Sequence, residues 1–355
     1  MKNFRCICGN SFYFENTQCV ACGHVLGYLP ERGVLSALEP AAGDTWRALA
    51  ADEALYRLCQ NYAQAHVCNW LVAADDPNPF CRSCRLDRTI PDLTLPRNHT
   101  LWHRVESAKR RLLYSLYALG LPVVDEGEDP EYGLAFAFLA DPVSNAGPPY
   151  GEEHFRQVLT GHDRGLITIN IAEADPSARE HMREALDERY RTLLGHFRHE
   201  SGHYYWFRLI RDSRWLGEFR GLFGDERRDY VSALKNYYET GNEGRWRARH
   251  ISAYASSHPW EDWAETWAHY LHMIDTLETA EDAGMMMGGR KIRSLSSSAN
   301  LEFEELRDDW ARLTLTMNAV ARSMGTDDPY PFVVSDHAAA KLRFVHDLVG
   351  ETGRT

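Results

Sequence analysis

His199-Glu200-Ser201-Gly202-His203 decides the fold, because it sets two histidines four residues apart with a glutamate directly after the first. Positions i and i+4 of an α-helix share a face, so both imidazoles would point at one place. Zinc is the usual ion for such a pair, and Glu200 would stand where it can take a proton from zinc-activated water. The stretch predicts a zinc-dependent peptidase. The alternative is a helix with two histidines on a polar face, so the rest of the chain must decide.

The composition is typical of a globular protein and argues against two classes of partner. Of 355 residues, 44% are apolar and 25% are charged, which is ordinary. The net charge of -12 argues against a nucleic-acid binder, which needs a basic face, and against docking on an anionic membrane. The first residues lack a signal-peptide pattern, and no apolar run has the length of a membrane span. We therefore expect a cytoplasmic protein.

All eight cysteines lie before residue 85, and in a chain without a secretion signal this clustering indicates metal sites rather than disulfides. The first set is Cys6, Cys8, Cys19 and Cys22, and the second set is Cys59, Cys68, Cys81 and Cys84. Four thiolates close a tetrahedral zinc site without an open position, so both sites would be structural. Iron is an alternative in the first set. In the second, His66 could replace a cysteine, or the four could form disulfides.

The cysteines divide the chain into two predicted domains. Residues 1–90 would form a double zinc-ribbon-like module whose metals supply much of its folding energy. Gly9 and Gly23 each follow a cysteine and permit the close approach of backbone to sulfur in a zinc knuckle. The charges of this module are roughly balanced, so we expect a cap or a docking site for a protein partner rather than for nucleic acid.

Residues 91–355 are predicted to form a mostly helical α+β domain with a small sheet. The hydrophobic pattern predicts strands at residues 133–140 and 165–172, and helices at residues 101–119, 175–210, 259–277, 301–324 and 336–349. Gly195 is expected to bend or interrupt the helix that carries the two histidines. A strand followed by the active-site helix is the order of a zincin, in which an edge strand holds extended substrate by main-chain hydrogen bonds. Residues 165–172 are the predicted edge strand.

A catalytic zinc needs a third protein ligand and one open position. Metzincins supply a histidine six residues after the second histidine, but Leu209 occupies that position here. Trp206 also replaces the glycine that the metzincin pattern requires. The sequence therefore excludes this class and favours a glutamate from a later helix.

Residues 254–272 offer two such glutamates, Glu261 and Glu265, one helical turn apart on one face. One of them would bind zinc, and the other would hold a ligand histidine through its second ring nitrogen. His269 and His272 continue the same face and are rival ligands.

The run at residues 254–265 resembles the glutamate helix of the anthrax lethal factor class of gluzincins, in which H-E-x-x-H is followed by a tyrosine and E-x-F-A-E. The resemblance implies that Glu261 is the zinc ligand, that Glu265 supports a ligand histidine, and that Tyr254 stabilises the oxyanion of the transition state. Trp263 stands where that pattern has phenylalanine.

A closer resemblance covers nearly the whole chain. The cysteine-rich front and residues 165–175, 191–206 and 261–272 are similar to the bacterial zinc-binding metallopeptidase family that carries an N-terminal zinc ribbon. The resemblance implies a zincin-like fold and hydrolysis of a peptide bond, but it does not supply the substrate.

These observations lead to one expected function and one alternative. We expect a zinc metallopeptidase that acts on a peptide or protein, with one catalytic and two structural zinc ions. The expected ligands of the catalytic ion are His199, His203 and Glu261. Glu200 would be the general base, while Tyr254 and, less centrally, His258 would donate to the oxyanion. The alternative is a catalytically silent or autoinhibited binding protein that recruits a partner through its zinc ribbons.

Overall fold

The cysteine-rich front consists mainly of β-strands, whereas the rest of the chain is mostly helical around a small sheet. The computed structural model describes residues 2–51, 54–141, 158–185, 191–240, 244–296, 298 and 301–353. This arrangement confirms the predicted α+β class. Among the described helices, none is both long and apolar enough to cross a membrane.

The front contains a short hairpin and a five-stranded antiparallel sheet. Its elements are β1 (Phe4–Arg5), β2 (Ser11–Phe12), β3 (Val25–Leu29), β4 (Val34–Pro40), β5 (Thr45–Ala48), β6 (Leu55–Leu58), α1 (Gln60–Ala63) and β7 (Leu71–Ala73). Strands β3 to β7 lie side by side in chain order. Gly9 and Gly23 have φ angles of 87° and 76°, and their amides bond to the carbonyls of Cys6 and Cys19. Both therefore form the tight knuckles predicted from their position, in a conformation that only glycine adopts freely.

A second sheet contains four strands and receives one of them from the segment that follows the cysteines. Its strands are β8 (Asp87–Thr89), β9 (Ala135–Leu139), β10 (Gly161–Asp163) and β11 (Leu166–Asn170), and helix α2 (Pro96–Ala118) lies between β8 and β9. Their order is β10-β11-β9-β8, with β11 parallel to β9 and antiparallel to β10.

The prediction that residues 165–172 form the edge strand was wrong. Strand β11 has a hydrogen-bonded neighbour on each side, and the short strand β10 lies at the edge among the described residues. Ile167 and Ile169 are completely buried. A β-branched run of this kind is typical of an interior strand that is packed on both sides.

The remaining elements are mainly helices. They are α3 (Pro176–Ala185), α4 (Leu193–Tyr205), α5 (Leu216–Phe223), α6 (Tyr230–Thr240), α7 (Pro259–Asp282), β12 (Met286–Met287), β13 (Arg290–Lys291), α8 (Phe303–Ser323) and α9 (Asp336–Thr352). The helix predicted at residues 175–210, with a bend or interruption expected at Gly195, is interrupted slightly earlier, because α4 begins anew at Leu193. The hydroxyl of Thr192 caps this start by accepting a hydrogen bond from the Gly195 amide at 2.9 Å. Residues 186–190 lie outside the described part.

Helices α4 and α7 pack closely, and two residues inside the H-E-x-x-H stretch form their contact. The indole of Trp263 donates a hydrogen bond to the Gly202 carbonyl at 2.7 Å, and that of Trp267 donates to the Ser201 hydroxyl at 3.1 Å. Both indoles are completely buried. Ser201 and Gly202 thus face α7, and their hydrogen bonds fix the position of one helix along the axis of the other.

Gly202→Ala tests this close approach. A Cβ at residue 202 would lie 2.9 Å from the Ala264 Cα and 3.2 Å from the Trp267 Cβ, so the helices must separate. We expect a loss of about 1–3 kcal/mol in the free energy of unfolding, measured in urea. Gly350→Ala in α9 is the control, since nothing lies within 4 Å of its added Cβ; we expect a gain of about 0.5–1 kcal/mol. Equal effects at both sites would contradict the packing.

Candidate active site

Helices α4 and α7 bring the predicted ligands together. The ring centroids of His199 and His203 are 5.0 Å apart on one face of α4. Glu261 comes from the first turn of α7, and its Oε2 lies 3.0 Å from His199 Nε2. Its other oxygen, Oε1, lies 3.6 Å from His203 Nε2. Two imidazole nitrogens and one carboxylate therefore surround a common point.

The two carboxylates around His199 provide a test of whether these residues fit a metal ion. Glu265 Oε1 is 2.7 Å from Nδ1 of the ring, and an ionised carboxylate can only accept hydrogen bonds. Nδ1 therefore carries a proton. In a neutral ring, the lone pair of Nε2 then faces a lone pair of the Glu261 carboxylate, and the two repel unless a proton or a cation lies between them. Two imidazoles and a glutamate are a typical donor set for catalytic zinc, so the residues fit this ion.

The pKa values of the cluster also reflect the attraction between its histidines and its carboxylates. Burial lowers the pKa of His199, but its hydrogen bonds with Glu261 and Glu265 outweigh burial and raise this pKa well above the ordinary value. Burial raises the pKa of Glu261, whereas the nearby His203 and the bond with His199 hold it well below the usual range. The carboxylate of Glu261 is therefore ionised and ready to bind a cation.

Glu265 lies where a carboxylate can orient the imidazole of His199. Besides its bond with His199, its Oε2 accepts a hydrogen bond from the Ser252 hydroxyl at 2.6 Å. The carboxylate is thus held from two sides, and it fixes both the tautomer and the orientation of the imidazole. Such partners raise the basicity of a metal-bound histidine.

Glu200 lies beside the ligands and has a different environment. It is buried, its carboxylate lies within 4.8 Å of the ring nitrogens of His199 and His203, and it lines a cavity of about 880 Å³. A carboxylate at the boundary between the cluster and an open space can reach a water molecule or a substrate, as a general base must.

Two tyrosines also lie next to the cluster. The ring of Tyr254 lies 5.9 Å from that of His199, and the hydroxyl of Tyr230 donates to Glu261 Oε1 at 2.8 Å. Burial and the negative charge of Glu261 raise the pKa of both hydroxyls, so both remain protonated donors.

Tyr230 is a residue of the site that no sequence pattern indicated. It opens α6, a helix separated from the two histidines by α5, and no spacing rule connects it to Glu261. The available signal was the abundance of tyrosine and tryptophan around residues 213–249, which does not single out one residue.

His258 has a role different from the predicted one. Its Nδ1 accepts a hydrogen bond from the Trp260 amide at 3.1 Å at the start of α7, and its Nε2 lies 3.1 Å from the Arg228 carbonyl. Both ring nitrogens are therefore bonded to the backbone. In this arrangement His258 caps a helix and has no nitrogen left to donate to an oxyanion.

The rival ligands His269 and His272 lie away from the cluster. His269 Nε2 is 2.5 Å from the Tyr330 hydroxyl, and the ring of His272 packs 5.5 Å from that of Trp310. Eight residues of helix separate Glu261 from His269, a rise of about 12 Å. The shared face predicted for these residues is real, but its length carries the histidines beyond the centre.

Both cysteine sets are assembled as predicted. The Sγ atoms are 3.5 Å apart for Cys6 and Cys22, 3.7 Å apart for Cys8 and Cys19, and 3.7 Å apart for Cys68 and Cys81. A disulfide needs about 2.05 Å, whereas zinc–sulfur bonds of about 2.3 Å in a tetrahedron separate sulfurs by about 3.8 Å. All eight cysteines are free, and each set gathers its four sulfurs without a contribution from His66.

Comparison with known proteins agrees with this arrangement. The model of the family described as "Putative zinc-binding metallo-peptidase" matches residues 98–348, and a zinc-ribbon domain model matches residues 3–95. Proteins named as uncharacterized from Mycobacterium bovis and Mycobacterium tuberculosis are 41% identical over 355 residues, which cover 99% of this chain and 96% of each relative. No solved structure matches. The chain belongs to this zinc-binding metallo-peptidase family, with a zinc-ribbon domain at its N-terminus.

Proposed function

We propose that the protein is a zinc-dependent metallopeptidase that hydrolyses peptide bonds. His199, His203 and Glu261 would hold the catalytic ion, and the two cysteine sets would hold two structural zinc ions. The observation that carries the proposal is the clamping of His199, which lies between Glu265 at 2.7 Å and Glu261 at 3.0 Å. A helix with two histidines on a polar face would not need a carboxylate on each ring nitrogen.

The chemistry follows from the positions of the side chains. When bound, zinc would polarise the scissile carbonyl and lower the pKa of its water towards about 7. Glu200 accepts the proton of the attacking water and delivers it to the leaving nitrogen. Tyr254 donates a hydrogen bond to the developing oxyanion. Tyr230 holds the carboxylate of Glu261 through its hydrogen bond of 2.8 Å.

Strand β10 is the proposed binding edge for an extended substrate. It lies at the end of the four-stranded sheet, and the ring of its residue His162 is 5.8 Å from that of His203. A peptide that adds to this edge would run past the metal ligands, and its main chain would receive ladder hydrogen bonds. This position, followed by α4 and then by a glutamate helix, supports the assignment to a zincin-like, gluzincin-type fold.

Glu200→Gln tests the proposed reaction. The amide cannot accept the proton, so peptide hydrolysis should fall to background, while zinc content should remain at three ions per chain. Hydrolysis is measured with a mixture of quenched fluorescent peptides, and zinc by atomic emission. Turnover unchanged from the wild type would overturn the mechanism. Two zinc ions per chain and no hydrolysis by the wild type would favour the silent binding protein instead.

Tyr254→Phe and Tyr230→Phe separate two roles. Loss of an oxyanion donor typically lowers kcat by about 100- to 1,000-fold, and we expect this for Tyr254→Phe. Tyr230→Phe removes a hydrogen bond to a charged ligand, so a decrease of about tenfold is expected. Tyr13→Phe at an exposed position of the ribbon is the control. A larger effect at residue 230 than at 254 would reverse the assignment.

Glu265→Gln tests how His199 is oriented. Loss of the charge that supports a ligand histidine should weaken binding of the catalytic zinc by about 10- to 100-fold. The affinity is measured by competition with a chelator that leaves the cysteine sites loaded. Glu239→Gln is the matched control, since Glu239 is exposed on α6 and pairs with Lys235 at 3.8 Å. Equal zinc affinity in the two variants would exclude the orienting role.

A further inference from the structure

The cavity beside Glu200 extends well beyond the metal ligands. It has a volume of about 880 Å³, and its walls include Gly195 and His196 from the start of α4 and Ala268 and His269 from the middle of α7. Ligand sites typically measure about 300–1,000 Å³. The space can therefore hold a substrate side chain and its neighbours next to the bond that the proposed reaction cleaves.

The charged groups in the walls of this cavity neutralise one another. Glu173 is held by Arg191 at 3.1 Å and by His196 Nδ1 at 3.0 Å. Arg198 pairs with Asp275 at 2.5 Å. Apart from Glu200, which acts on the scissile bond, and Glu265, which holds His199, the buried charges of the described walls are therefore paired.

The far end of the cavity is also uncharged. Burial lowers the pKa of His269 and of His272 to about 3, so both rings are neutral near pH 7. Phe332 packs edge-on against His269 with ring centroids 5.1 Å apart, and it lines the same space. An aromatic and two neutral imidazoles suit an apolar or aromatic group.

Three large apolar or aromatic side chains from separate segments form an exposed part of the cavity wall. Leu159, next to β10, is 78% exposed; Val333, before α9, is 79% exposed; and Tyr238, on α6, is 61% exposed. All three line the cavity. Single exposed apolar residues are ordinary, but several that line one cavity are typical of a binding site.

We propose that this cavity binds a bulky apolar side chain next to the scissile bond, so that the substrates are extended polypeptide segments rich in large apolar residues. The proposal rests on the proposed peptidase function, because the side chain reaches the cavity only when the peptide lies across Glu200. Leu159 and Val333, in the exposed part of its wall, are the specificity-determining residues.

One feature of the rim favours a competing preference. The guanidinium of Arg247 lies 4.9 Å from the ring centroid of Trp246, and both residues line the cavity. A cation at the rim could attract an acidic side chain, whereas Leu159 and Val333 would not. A set of peptides that differ at a single residue distinguishes the two.

The experiment uses the full-length, zinc-loaded protein and quenched peptides that are identical except for Phe, Leu, Gly, Lys or Glu beside the scissile bond. Wild-type kcat/KM should be highest for Phe and Leu. Leu159→Glu and Val333→Glu should each lower kcat/KM for the Phe peptide by about tenfold, because a charge replaces apolar contact area. Leu315→Glu in the middle of α8 and Met324→Glu at its C-terminal end, at positions 71% and 75% exposed, should change it by less than about twofold.

The outcomes separate the two proposals. Equal cleavage of all peptides, or no effect of Leu159→Glu and Val333→Glu, would overturn the apolar preference while the peptidase stands. A preference for Glu would overturn it in favour of Arg247. If the wild type cleaves no peptide, the peptidase proposal fails, and fluorescence anisotropy with the labelled Phe peptide decides the binding site. Binding weakened by Leu159→Glu but not by Leu315→Glu would then support the site, and equal binding would overturn it.

Discussion

The close contact between α4 and α7 is the constraint on which the candidate active site depends. Gly202 allows the helices to approach until an added Cβ would lie 2.9 Å from the Ala264 Cα. Trp263 and Trp267 then lock the height of α7 through hydrogen bonds to Gly202 and Ser201. A glutamate in the first turn of α7 reaches the two histidines only at this height and distance, so packing and metal chemistry are set by the same contact.

The cysteine module is joined to this core by charge as well as by packing. Lys109 of α2 is completely buried and pairs with Asp87 of β8 and with Glu106. Arg110 donates to the Val67 carbonyl, and the nearby thiols of the second cysteine set, Cys68 first, help to raise its pKa against the effect of burial. The guanidinium of the buried Arg110 lies close enough to these sulfurs to offset part of the negative charge that thiolates would carry. The second cysteine site therefore supports α2, the long helix that packs on α4.

Sequence patterns predicted the residue clusters whose spacing is local. They failed for the position of a strand in its sheet and for the start of a helix, which depend on contacts with other parts of the chain. The residues of each cysteine set and the face shared by His199 and His203 follow from spacing alone. The edge strand was assigned to β11 because its pattern is the clearest, yet a strongly β-branched strand is more stable in the interior. Thr192 started a new helix, which periodicity could not show because the apolar pattern continues across it.

The sequence by itself determined the donor types and their order along the chain, since an i,i+4 histidine pair and two glutamates one turn apart are local geometry. Only the tertiary structure decided which of these groups meet. It placed Glu261 against both imidazoles and Glu265 against the far nitrogen of one. It also carried His269 and His272 beyond reach, bonded His258 to the backbone, and added Tyr230 from a separate helix. These outcomes depend on how closely α4 and α7 pack and on their relative position along the helix axes. Neither can be read from residue spacing within one helix.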